Sequence, residues 1–417
     1  MARGIAARAS IRRPAVVAFV HRGRDWVRGS EQCLLDLAAG LDRSRFTPLV
    51  WCNTPMLAAE ARRRGVEVEL VDDWADGRVP FRTAAARARI AAMLRARAVD
   101  LVHANVVDVV GALLPSTRRL RIPLAVHLHM PVTELYARRY SLVHQVAAAV
   151  GVADNVVRPL IDDGMNPRRV RVIYNAYDAD RLMAGDARGL RADLGIPAAA
   201  VVAVTVGSLI VRKGHDVTIE AVALARAAGA DVHLLVCGDG EEAASLRARA
   251  RRLGVESAVH FLGYRRDAGA VMRDASDLLV TSAREEAMPL NVIEAQALGL
   301  PVIASDIAPH RDGLEAGVTG LLAAPEDAHD TARAIVQLAR APEQRRTMGN
   351  AGRARAEARF SMARYVREFE ALYDELLGRP RDEYGWAGGS AWPPVYTRWI
   401  GEVARNRLRM TTRRARA

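Results

Sequence analysis

The chain has 417 residues, half of them hydrophobic, enough for large buried cores and, by length, two domains. The formal net charge of +12 is confined to the ends: six arginines and no acid in residues 1–24, and nine arginines against three acids in residues 379–417. A neutral body with basic ends argues against a nucleic-acid groove through the fold and makes the termini the expected contact for an anionic membrane surface.

Three cysteines, Cys33, Cys52 and Cys237, stand far apart, without CxxC spacing, in or beside apolar runs. They read as core thiols of a reduced compartment, with neither a disulfide framework nor a zinc site. No apolar run reaches the roughly 18–20 residues of a membrane span, and the apolar stretch near the start is too short for a signal peptide. The expected location is cytoplasmic, at most peripheral on the inner face of a membrane.

From the N-terminus, short β-branched runs alternate with Ala/Arg/Leu segments of helical period, the pattern of parallel sheets covered by helices. The first half offers strands at AVVAFV (15–20), FTPLVWC (46–52), VEVELV (66–71), DLVHAN (100–105), IPLAVHLH (122–129) and VRVIYN (170–175). After a polar stretch at 178–197 the rhythm restarts with AVVAVTVG (200–207), DVHLLVCG (231–238), AVHFLG (258–263), DLLVTS (277–282), LPVIAS (300–305) and GLLA (320–323). Both halves open with an apolar strand, a Gly-containing loop and a helix. The fold class is therefore α/β, with two Rossmann-like, doubly wound parallel-sheet domains at 1–178 and 179–377 facing across a cleft, and a basic aromatic tail at 378–417.

Ligands of such sheets bind beyond the carboxyl ends of the strands. Lys213 is the single lysine among 60 Lys and Arg, and it follows the first strand of the second half in VGSLIVRKG. Gly207 and Gly214 permit a tight backbone path there, and with Arg212 the ammonium forms a clamp able to neutralise a leaving diphosphate. A solvated surface turn is the plainer alternative. Next comes TSAREEAMPLNVIEAQALGLPVIAS (281–305), in which a strand ends at Ser282 and Glu285 and Glu286 occupy the loop. Pro289 suits the first turn of a helix running through Glu294. Glu294 interrupts an apolar face, where a carboxylate buried alone is costly; the vicinal hydroxyls of a bound polyol are its expected partner. A loop-capping role is the alternative.

Glu286, seven intervening residues and Glu294, followed by AQALGLPVIAS, resemble the signature of the retaining, GT-B-fold glycosyltransferases of family 4. VRVIYNAYD (170–178), VGSLIVRKG, VCGDGEEAASL (236–246), FLGYRRD (261–267), RGSEQCLLDLA (28–38) and IPLAVHLHMP (122–131) resemble further segments of that family in the same order, over roughly residues 15–377. The resemblance implies metal-independent, cofactor-free transfer from a UDP- or GDP-sugar to an acceptor hydroxyl, in cell-envelope, polysaccharide or glycolipid synthesis. It implies that Lys213 and Arg212 bind the donor diphosphate, that Glu294 holds the ribose hydroxyls and that Glu286 contacts the transferred sugar. Backbone amides at Leu290 and Asn291 would cradle the diphosphate, Gly207 and Gly29 would shape the loops of the two domains, and Gly263 and Tyr264 would line the base pocket. His129 would lie near the reacting carbon; His127 is its rival, and core packing is the alternative for either.

The chain departs from the family pattern at Ser208, usually Arg, and at Ala287, Arg28 and Ala176, usually Gly, while Asp312 replaces the usual Glu. The Asp-x-Asp at 178–180 imitates a metal motif of another fold, but its place in a domain connection makes Asp178 a turn residue. Rival readings are an epimerase or phosphorylase of the same fold and an NAD-dependent dehydrogenase. The last is prompted by GxGxxA at Gly238–Ala243 but opposed by Gly263, where an acidic ribose ligand belongs.

Overall fold

The computed structural model describes residues 13–71, 84–130 and 142–380. The tail from 381 on, with its expected interfacial anchor, and the first twelve residues lie outside them. The chain forms two compact units: one takes the residues up to Ile173 and those from Val366 on, the other is Tyr174–Tyr365.

The sheet of the first unit contains β1 (Ala15–His21), β2 (Phe46–Cys52), β3 (Glu67–Leu70), β4 (Leu101–Ala104), β5 (Leu124–Leu128), β6 (Ala148–Gly151) and β7 (Val170–Val172). They are all parallel, in the order β3-β2-β1-β4-β5-β6-β7. Helices cover both faces of such a sheet, so its strands bury both sets of side chains and read as continuous apolar runs; Val17 to Val20 are all fully buried. The second unit repeats the plan with β8 (Val201–Val206), β9 (Val232–Cys237), β10 (Val259–Gly263), β11 (Leu278–Thr281), β12 (Val302–Ser305) and β13 (Gly320–Ala323). Their order is β10-β9-β8-β11-β12-β13. Alternation feeds two cores: Leu278 and Val280 join Val222, Ile335 and Leu338 on one face, while Leu279 joins Val292 and Ala304 on the other.

In both sheets the chain order reverses at the first strand, between β1 and β4 and between β8 and β11. Beyond the carboxyl ends of these pairs the flanking loops part, which makes a crevice where α/β sheets hold ligands.

Two boundaries differ from the sequence reading. Residues 174–178 go with the second unit, where the Tyr177 N–H donates to the Phe360 carbonyl (3.1 Å) and Tyr177 bridges to Ser361. The last helix, Met362–Gly378, gives its residues from Val366 on to the first unit. There Phe369 and Tyr373 find the rings of His103 (5.4 Å from Phe369) and Phe46 (5.9 Å from Tyr373), partners that a linear reading of the helix cannot supply. The three cysteines are buried, and no disulfide joins them.

Candidate active site

Lys213 closes a short 3-10 turn, Val211–Lys213, in the loop after β8. Gly214 follows in the left-handed region (φ 63°), and a Cβ there would lie 1.9 Å from the Ser282 carbonyl, so only glycine lets this loop press against the end of β11. The Arg284 N–H donates to the Arg212 carbonyl (2.8 Å), and the Arg284 guanidinium spans Asp216 (2.8 and 3.0 Å) and the Val211 carbonyl (2.6 Å). Thus pinned, Lys213 presents its ammonium to the Glu286 carboxylate, with which it forms an ion pair, while Arg212 Nη1 lies 3.5 Å from the other Glu286 oxygen. The Glu286 side chain is only 7% exposed, and these two cations offset the burial of its carboxylate.

The helix Leu290–Ala297 begins four residues further on, with Pro289 as its N-cap rather than in its first turn. Asn291 ties the helix to β8: its Nδ2 donates to the Val206 carbonyl and its Oδ1 accepts from the Val292 N–H, both at 2.9 Å. The backbone N–H groups of Leu290 and Asn291 open the helix and have no preceding turn to bond to, which suits an anion. Glu294 also has a partner within the protein, Arg181 Nη2 at 2.8 Å, so its burial alone does not require a bound polyol. Sequence reasoning missed Arg181 because 113 residues separate the pair. Asp178, expected in a turn, caps Arg181's helix by accepting from the Arg181 N–H (3.1 Å).

Two histidines flank this cluster. Burial holds His215 neutral by lowering its pKa to about 4, and its Nε2 lies 3.2 Å from the carbonyl of Ser208, the residue that stands where the family carries Arg. Burial likewise lowers His310, whose Nδ1 lies 2.7 Å from the Ser305 carbonyl. A Cβ at Gly207 would make ordinary contact with the Lys213 stem, at 3.8 Å. Gly263 ends β10 at φ 69°, and Tyr264 beside it is 69% exposed. The Gly238–Gly240 pair belongs to packing rather than to a dinucleotide: Cβ atoms there would meet the Gly207 carbonyl at 1.8 Å and the Leu209 carbonyl at 2.4 Å.

A second polar cluster occupies the β1/β4 switch point of the first unit. His21 ends β1, Asn105 follows β4, His129 follows β5, and Glu31 lies in the first turn of the helix Gly29–Gly40, which Gly29 begins. His21 Nε2 is 3.0 Å from Glu31 Oε1. Glu31 also accepts from the Arg28 N–H and the Ser30 hydroxyl, each at 3.1 Å. Burial pushes the Glu31 carboxyl up, but the adjacent His21 and the backbone N–H groups of Arg28 and Glu31 outweigh it and leave its pKa at about 2. His129 Nε2 lies 3.1 Å from Asn105 Oδ1, and burial lowers its pKa to about 3. The rival, His127, is fully buried inside β5 with its ring centre 4.1 Å from that of His129, and neither of its nitrogens has a hydrogen-bond partner among the described residues. Of this group only His129 and Gly29 were singled out in the sequence. The signals available for the rest were their positions: His21 and Asn105 at strand ends, Glu31 at the third helical position.

The family model described as Glycosyl transferases group 1 matches residues 186–355, and that of Glycosyltransferase Family 4 matches residues 27–181. The lipopolysaccharide core biosynthesis glycosyltransferase LpsE of Rhizobium meliloti is 36% identical over 171 residues, 41% of this chain and 48% of that protein. A D-inositol 3-phosphate glycosyltransferase of Saccharomonospora viridis is 32% identical over 236 residues, 54% of each. The chain thus spans about half the length of the curated relatives it matches. Among solved structures, Anabaena Alr3699/HepE in complex with UDP and glucose superposes with a TM-score of 0.76 at 22% identity, covering 87% of this chain and 100% of that one. WaaG, a glycosyltransferase involved in lipopolysaccharide biosynthesis, superposes at 0.66 with 19% identity, covering 87% of this chain and 100% of its own. At these identities the likeness is one of fold.

Proposed function

The chain belongs to the family 4, group 1 glycosyltransferases, with two parallel-sheet domains of the GT-B type, and from that premise we propose that it moves a sugar from a nucleoside-diphosphate donor to an acceptor hydroxyl with retention of configuration. The observation that carries the reading is the cluster of Lys213, Arg212 and Glu286 beyond β8 and β11, followed directly by the open N-terminus of Leu290–Ala297.

In the transfer, the acceptor oxygen bonds to the anomeric carbon on the face from which the diphosphate departs. The carbon–oxygen bond to the diphosphate breaks with its electron pair, and the acceptor proton passes to the leaving phosphate oxygen. The negative charge that develops there is met by Lys213, Arg212 and the amides of Leu290 and Asn291, all groups of the protein, so the step proceeds without a metal. Glu286 turns from the ammonium to the sugar hydroxyls as the diphosphate takes the ammonium over. Glu294 grips the ribose while Arg181 fixes its orientation, Gly263 and Tyr264 border the base, and His129 contacts the reacting sugar.

A uridine donor is favoured over a guanosine one because HepE has been solved with UDP and with UDP-glucose. An envelope acceptor fits the lipopolysaccharide core relative, whereas the D-inositol 3-phosphate relative points to a small phosphorylated polyol. No helix among the described residues is long and apolar enough to cross a membrane, and the basic chain ends are the proposed contact with an anionic leaflet. Sedimentation with anionic vesicles at low salt, lost on deleting residues 380–417, tests that contact.

The experiment for the reaction is a thermal-shift screen of UDP, GDP and their sugars, followed by assay of nucleoside-diphosphate release in EDTA. Stabilisation by one diphosphate and metal-free release of it support the reading. Activity that vanishes in EDTA and returns with Mg²⁺ would sink the metal-free step, and phosphorolysis or epimerisation without an acceptor would replace the transfer.

A further inference from the structure

At the β1/β4 switch point the orientation of one amide decides the state of one histidine. Asn105 Nδ2 lies 3.1 Å from the Ser30 backbone carbonyl, which can only accept, so this atom is the amide nitrogen and not the oxygen. The second amide hydrogen faces His21 Nδ1 at 3.1 Å, which makes that nitrogen an acceptor and leaves the His21 proton on Nε2, beside Glu31. The amide oxygen is thereby turned to His129 Nε2 at 3.1 Å, and that nitrogen must carry the proton.

We propose that Asn105 is a positioning residue for the transfer: it fixes His129 as the neutral Nε2–H tautomer and leaves the Nδ1 lone pair to accept from a sugar hydroxyl. The carrying observation is a carboxylate–histidine–amide–histidine relay, Glu31–His21–Asn105–His129, whose orientation is set at a backbone carbonyl and whose members come from four separate segments. The relay is closed from above by Gly23, where a Cβ would lie 2.6 Å from His21 Nε2 and 3.3 Å from Glu31 Oε1. No such partner sets the tautomer of His127, whose two nitrogens are buried without hydrogen bonds among the described residues. Burial lowers the His129 pKa as well, which favours the neutral ring.

For its kinetic arm this inference rests on the proposed glycosyl transfer; its spectroscopic arm does not. Nitrogen-15 histidine spectra of the full chain, with His129→Ala as the assignment control, should show a neutral Nε2–H His129 at pH 7. In Asn105→Leu, with the smaller Asn105→Ala read alongside in case leucine disturbs packing, the tautomers should mix. Turnover should fall about tenfold or more while nucleoside-diphosphate affinity is unchanged. In a His129→Ala background the same substitution should cost no further turnover, because Asn105 acts through His129. An unchanged His129 tautomer in the Asn105 variants overturns the inference, as does an equal loss in the two backgrounds. A wild-type chain inert toward every nucleotide sugar instead counts against the proposed function and leaves the tautomer result to decide this one.

Discussion

The Lys213 ammonium and the Glu286 carboxylate form an ion pair in the crevice between β8 and β11, with the Arg212 guanidinium at the other Glu286 oxygen. Without donor, the carboxylate takes the charge that a diphosphate would take. Glu286→Gln should therefore strengthen binding of the nucleoside diphosphate while lowering turnover of its sugar by roughly two powers of ten, since the leaving group keeps its clamp and the sugar loses its contact. Calorimetry of the diphosphate beside steady-state kinetics checks both signs, and parallel losses in the two would contradict a division of labour between Lys213 and Glu286.

Glu294 and Arg181, 2.8 Å apart, define the expected ribose site. Removing the donor's ribose hydroxyls should cost about 1.5–3 kcal/mol of binding in the wild type, as for hydrogen bonds to a charged group, and almost nothing in Glu294→Ala. Comparing a nucleoside diphosphate with its 2′,3′-dideoxy analogue in both proteins measures this. Equal penalties in the two would place the ribose elsewhere.

Gly214 and Gly229 share a positive φ, 63° and 81°, but only Gly214 faces another backbone, the Ser282 carbonyl. Alanine at 229 should cost about 1 kcal/mol of conformational strain, whereas alanine at 214 adds a steric clash and should lower stability by roughly 2 kcal/mol or more. Chemical denaturation of both variants separates the two effects. A Gly214→Ala protein as stable as Gly229→Ala would mean that the phosphate loop yields freely.

His127 lies below its ordinary pKa because of burial and the adjoining His129 and His103. A folded imidazole that stays neutral while the unfolded one protonates near 6.5 contributes stability that is complete above that pH and declines as pH falls toward the depressed folded value. His127→Leu removes one such proton and two nitrogens that have no hydrogen-bond partner among the described residues. The slope of unfolding free energy between pH 5 and 6 should fall by up to about 1.4 kcal/mol per pH unit, with stability at pH 7 kept or improved. Urea titrations at several pH values give the slope, and an unaltered slope would show that His127 is already protonated or solvated.

Much of this organisation was legible because parallel strands buried on both faces leave apolar runs, and twelve of the thirteen described strands were predicted from such runs. The exception, β6, reads AAVG: three of its four residues are small, and a single β-branched residue, Val150, is too weak a strand signal. Lys213, Glu286 and Glu294 stood out through a lone residue type and a fixed spacing. Arg181, His21 and Asn105 did not, because their roles arise only when the chain order of a sheet brings distant strand ends together.

The most direct measurement is release of nucleoside diphosphate from its sugar in EDTA by the wild type, Lys213→Ala and Lys213→Arg. Lys213→Ala should be slower by roughly two to three powers of ten, as on losing a transition-state charge stabiliser, and Lys213→Arg should recover only part of the rate, because a planar fork does not fill a point-charge site. Wild-type rates in both variants would contradict the assignment and return Lys213 to an ordinary surface loop.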